Sequence, residues 1–171
     1  MALLLPGRQR KRSIRIPSLY NHIAGLDGLR RDLMVLGGRE MTAQLARATI
    51  GKAGDDALLA LAQAYRAYAK EHPGLYAAVQ RAPNFRDPEA QAVGGAVVEV
   101  AVAVMASYGL QGDDAVHAVR GLRSALHGFV TLETAGGFGL PLDLDESYRR
   151  LIQMLMYGLR QGQGSHEESS Y

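Results

Sequence analysis

Between Glu89 and Tyr108 the chain is apolar on nearly every side: Val93, Val97, Val98, Val100, Val102, Val104 and Met105 are interrupted only by Glu99 and small residues. Valine favours strands, which leaves a buried strand as the local alternative, but a stretch of this length without a turn signal is too long for one. A helix that is apolar all round has to be covered all round, so this one is expected to run through the middle of a helical bundle. Glu99 shares a helical edge with Gln91, Gly95 and Val102, which points it either to solvent along a narrow polar seam or toward a ligand.

The flanking segments repeat the helical period. Leu29, Leu33, Gly37, Met41, Leu45 and Ala48 keep spacings of three or four, and Gly51 to Gly54 close that helix. Asp55 or Asp56 caps a second helix with the stripe Leu58, Leu61, Ala62, Tyr65 and Ala69, ended at His72-Pro73. A short helix from Pro73 to Arg81 stops at the turn Pro83 to Pro88. Asp113 and Asp114 open a long helix through Val116, Val119, Leu122, Leu126, Phe129 and Val130, which Gly136, Gly137, Gly139 and Pro141 terminate. A last helix begins near Asp145, with Tyr148, Leu151, Ile152, Leu155 and Leu159 on one face and Met154 and Tyr157 on another. The fold class expected is all-α, a helical bundle with an N-terminal helix-turn-helix segment and a C-terminal ligand-binding and dimerisation domain. The divisions are a head with its basic arm and connecting helix over residues 1–49, the helical domain over 50–160, and a polar, loose tail over 161–171. No uninterrupted apolar run long enough to cross a bilayer is read, and with 47% hydrophobic and 21% charged residues the chain falls in the globular class, expected in the cytoplasm.

Charge is distributed unevenly. Arg8, Arg10, Lys11, Arg12 and Arg15 fall within the first fifteen residues without an acid, leaving fourteen of the 19 basic residues to face all 17 acidic ones elsewhere. A basic head and a faintly acidic body suit a protein whose head meets a polyanion, although a solvated tail has the same composition. Immediately downstream, Pro17 fits a first helical turn, Leu19 and Ile23 form an inward stripe, and Gly25 breaks the helix before Asp27 caps the next.

The order Ser18-Leu19-Tyr20-Asn21-His22-Ile23 resembles the recognition helix of TetR/AcrR-type transcriptional regulators. His72-Pro73-Gly74-Leu75-Tyr76, with Leu126-His127-Gly128-Phe129-Val130-Thr131-Leu132-Glu133 and Gly136-Gly137-Phe138, resembles the C-terminal domain type of that family named for a Trp-His-Gly motif, with Leu126 standing where Trp is expected. By this resemblance Pro17, Ser18 and Asn21 face the major groove of operator DNA and Tyr20 and His22 hold the backbone, with Arg15 of the basic cluster a further DNA-binding candidate. The resemblance also implies a homodimer that pairs its last two helices, and middle helices that enclose a small effector, the two-fold axis aiming two recognition helices at a palindromic site.

Candidate ligand-binding residues are Tyr65, Tyr68, Met105, His127 and Phe129, although aromatic and Met residues at helical spacing usually just pack as core. Leu126, Met154 and Tyr157 are the interface candidates, because a terminal helix with two apolar faces needs two partners. The family head places two helices ahead of the recognition helix, and fifteen residues reach only about 22 Å as helix. The expectation is therefore an abbreviated head with weak, salt-sensitive, poorly specific DNA binding. The alternative is a dimeric, small-molecule-binding helical protein that no longer reads DNA. No cofactor, metal or membrane partner is expected, nor an enzyme. Nucleophile elbow, phosphate loop, dinucleotide fingerprint and paired-histidine zinc helix are all missing, cysteine is absent, and His117 and His127 stand about 15 Å apart along one helix.

Overall fold

The computed structural model describes residues 25–81 and 86–164. Proline, glycine and aspartate set the helix boundaries. Six helices result, with no strand among the described residues: α1 (Gly25–Thr49), α2 (Gly54–Glu71), α3 (Pro73–Val79), α4 (Pro88–Ala106), α5 (Gly112–Thr134) and α6 (Leu144–Gly164). Pro73 and Pro88 occupy first turns, where no N–H is required, and Asp87 caps α4 by accepting the Ala90 N–H at 3.1 Å. Asp143 accepts the Asp145 N–H at 2.8 Å ahead of α6. Gly51 and Gly54, at φ +71° and +52°, make the reversal between α1 and α2 in the left-handed region that glycine tolerates.

α2 is the central element. All five residues of its apolar stripe are buried together with Tyr68, and the helix touches α1, α3, α4, α5 and α6. α1 crosses α4 and α3 through Gly37 and Gly38. A β-carbon on Gly38 would lie 2.3 Å from Val93 Cγ1, and one on Gly37 would lie 3.0 Å from the Leu75 carbonyl oxygen. Those two glycines let the backbones approach more closely than any side chain would permit. α6 lays Tyr148, Ile152 and Met156 on the bundle, and the Tyr148 hydroxyl donates to the Ala62 carbonyl at 2.7 Å.

Five expectations from the sequence differ from the structure. α4 does not thread the middle of the bundle: it buries Ala90, Val93, Val104 and Met105 toward its ends, while Val98 at its midpoint is 40% exposed. The same helix is long and apolar enough, by length and composition alone, to cross a bilayer. In this fold it packs on α1, α2 and α5, and its Glu89 pairs with Arg31 and, at 2.7 Å, with Arg39. Along the first half of α1 the inward residues are Met34 and Val35, and Leu33 turns outward because the helix faces α3 and α4 at once. Val116 of α5 is likewise exposed, and α6 continues past Gln161 to Gly164.

Candidate functional site

Five helices leave a space between them. A cavity of about 540 Å³ is lined by Met34, Gly38, Met41 and Leu45 of α1, Leu61 and Tyr65 of α2, and Val79 of α3 with Gln80 and Arg81 just beyond it. Val93, Gly94, Gly95, Val97, Val98, Glu99 and Ala101 of α4 and Val119, Leu122, Arg123 and Leu126 of α5 complete the wall. The volume falls in the range of small-molecule sites, and the lining has the usual composition, apolar with a few polar groups. The side-chain spacing explains the cavity: Val119, Leu122, Arg123 and Leu126 are one i, i+3, i+4, i+7 face of α5, and Gly94 and Gly95 withhold bulk from the facing wall. The apolar midsection of α4 therefore faces open space where side-chain packing was expected. Val98, Glu99, Gly95, Arg81 and Arg123 are exposed and form the mouth.

Tyr65 begins a chain of polar contacts running from the cavity into the protein. Its hydroxyl lies 3.0 Å from that of Tyr76, whose oxygen is 2.6 Å from His127 Nδ1. The two tyrosine rings meet edge to face at 5.7 Å. Burial pushes the Tyr65 and Tyr76 phenols up, so both are protonated at neutral pH; at Tyr65 the Tyr76 hydroxyl, the Arg123 charge and the Gln80 amide partly offset it. Arg123 Nη2 donates to the Gln80 carbonyl at 3.3 Å and to its side-chain oxygen at 3.4 Å. Tyr65, Gln80 and Arg123 thus converge at one end of the cavity.

The model of the tetracyclin repressor-like C-terminal domain matches residues 58–155, more than half of the chain. The protein belongs to the TetR family of transcriptional regulators. YobS of Bacillus subtilis, an uncharacterized HTH-type transcriptional regulator, is 36% identical over 91% of this chain and 81% of its own length. Rv0681 of Mycobacterium tuberculosis, also an uncharacterized HTH-type transcriptional regulator, is 40% identical over 84% of this chain, which spans 66% of that relative. A protein of unknown function from Rhodococcus sp. RHA1 shares the fold with a TM-score of 0.70 at 24% identity, covering 84% of this chain and 80% of its own.

Within this TetR-family protein the candidate residues separate into distinct places. Arg15, Pro17, Ser18, Tyr20, Asn21 and His22 lie outside the described residues. Of the ligand candidates, Tyr65 lines the cavity and His127 reaches it only through Tyr76. Tyr68 is buried elsewhere, donating to the Gly37 carbonyl at 2.9 Å, with its phenol pushed up to about 12 by burial. Met105 is fully buried core. Phe129 stacks with Phe138 and Tyr148, each at 4.9 Å, beside the Arg66 guanidinium. Leu126, an interface candidate, is 1% exposed and faces the cavity, because it shares the inward face of α5 with Val119 and Leu122; its side chain is inside the protomer, out of reach of a second chain. Met154 and Tyr157 are exposed on α6. Gln80, Arg81, Glu99 and Arg123 are the polar cavity groups that were not singled out as ligand residues from sequence, except that Glu99 was weighed. Arg123 had left a signal, as the one charge on an otherwise apolar helical face.

Proposed function

We propose that the protein is a ligand-responsive repressor that binds operator DNA as a homodimer in the cytoplasm, with its small-molecule effector in the cavity. The observation that carries this reading is the shared wall: α1, which follows directly on the residues proposed to read DNA, contributes Met34, Gly38, Met41 and Leu45 to the lining. A ligand with different contacts to two placements of α1 shifts the balance between them, and the reach of a paired head along the duplex with it. Residues 1–49 form the head and its connecting helix in this scheme, and 50–160 the sensing and pairing domain. Exposed Met154 and Tyr157 on α6 supply the apolar surface for a two-fold contact.

The test is a gel-shift titration against the DNA upstream of the coding region. Specific retention that a cavity ligand releases supports the repressor. A stable dimer that binds ligand and retains no DNA specifically replaces it with the sensor that does not read DNA.

A further inference from the structure

Resting on the reading of the cavity as an effector site, we propose that its ligand is an apolar molecule bearing one acidic group, whose anion sits between Arg81 and Arg123 where α3 ends. Three observations converge on this chemistry. The walls contributed by α1, α2 and α4 at this level are hydrocarbon, from Met34, Met41, Leu45, Leu61, Val97 and Ala101, which suits a tail and offers a polar ligand nothing along its length. At the α3 end the lining is cationic, with Arg81 and Arg123 both on the cavity wall. Arg81 follows directly on Gln80, and Arg123 donates to the Gln80 carbonyl at that helix terminus. Neither has a carboxylate within 4.0 Å among the described residues, whereas Arg31, Arg39, Arg66, Arg149, Arg150 and Arg160 each have one.

Among the described residues Arg123 makes two long hydrogen bonds, both to Gln80. A carboxylate would replace them with a charge-assisted pair of better geometry. The tyrosine chain adds a donor. His127 Nδ1, Tyr76 and Tyr65 can be oriented either way, and an anion at the cavity end selects the direction in which the Tyr65 O–H points at it. Glu99 also lines the cavity, on the α4 side, and disfavours an acid there, which leaves the α3 end for the ligand's head.

The experiment compares three probes of equal tail, decanoate, decanol and decyltrimethylammonium, by isothermal titration calorimetry on the full chain and on Arg123→Gln and Arg123→Lys. Decanoate is expected to bind at least about tenfold more tightly than decanol, the advantage disappearing in Arg123→Gln and partly returning in Arg123→Lys. Arg123 is exposed, and a circular-dichroism melt without ligand verifies that the variants fold. Equal binding of acid and alcohol overturns the acidic-ligand proposal and leaves the effector cavity standing. Preference for the ammonium probe overturns it in favour of Glu99. Binding of none of the three overturns both this proposal and the cavity reading on which it rests.

Discussion

Tyr76 is the residue on which the polar interior turns, since among the described residues its hydroxyl links Tyr65 to His127. Replacing it with phenylalanine strands two partly or fully buried groups at once, whereas Tyr65→Phe removes one bond and leaves Tyr76 paired with His127. Tyr76→Phe is expected to cost about 2 kcal/mol and Tyr65→Phe about 1, an order that urea unfolding midpoints would check. Equal midpoints would mean that the chain is not formed. His127 was readable from sequence as an isolated imidazole in an apolar helix, but its partner was not, because Tyr76 lies 51 residues away and only the packing of α3 on the bundle brings it near. Arg123 shows the opposite case. Its position, four after Val119 and three before Leu126, marks it on the inward face without any structure, and the structure puts it on the cavity wall.

At the scale of elements, two contacts set how the helices meet. Gly38 is helical, so alanine there would gain up to about 1 kcal/mol from propensity alone, but its β-carbon would collide with Val93, a stiff β-branched side chain that is itself buried. Overpacking wins: Gly38→Ala is expected to destabilise by about 1–3 kcal/mol, with Val93→Ala restoring part of the loss in the double variant. Gly121, with open space around its position on α5, serves as the control and should gain stability as alanine. A Gly38→Ala variant that also gained would remove the close crossing of α1 on α4. The second contact ties α2 to α5, where Arg66 donates to both oxygens of Glu133 at 2.8 and 2.6 Å while lying against the Tyr148 ring. Arg66 holds the Glu133 carboxyl below the usual carboxylate range against the opposing effect of burial, with Lys70 helping. A depressed carboxylate stabilises the fold above its unfolded pKa and loses that contribution as pH falls through the folded value. Glu133→Gln should cost about 2 kcal/mol at neutral pH, less than for a fully buried pair because Asp145 stays on Arg66 at 2.7 Å. The gap from the parent should close under acid, as denaturation at pH 7 and below pH 4 would reveal.

Over the whole molecule, how much could be read from sequence depends on what each helix faces. The stripe of α2 was legible residue by residue because side chains surround it, and burial then follows apolarity. The α4 helix was not, since apolarity demands shelter from water without saying whether shelter comes from packed neighbours or from the walls of a cavity. The same ambiguity governs α6. Met154 and Tyr157 stand 65% and 63% exposed on a helix whose Ile152 and Met156 already face the bundle, and Leu140 and Leu142 before the helix are exposed as well. Scattered apolar residues on a surface need no partner, but two large ones three apart on one helical face present a continuous strip. If a second copy covers that strip, sedimentation equilibrium will report a dimer. Tyr157→Ala, which truncates a central aromatic, should then raise its dissociation constant about thirtyfold or more, and Met154→Lys should act in the same direction by burying an unpaired charge. Neither side chain supports the protomer's own core, so far-ultraviolet circular dichroism of both variants should match the parent. A parent protein that sediments as one chain at high concentration would remove the two-fold axis on which operator spacing depends, whatever the cavity binds.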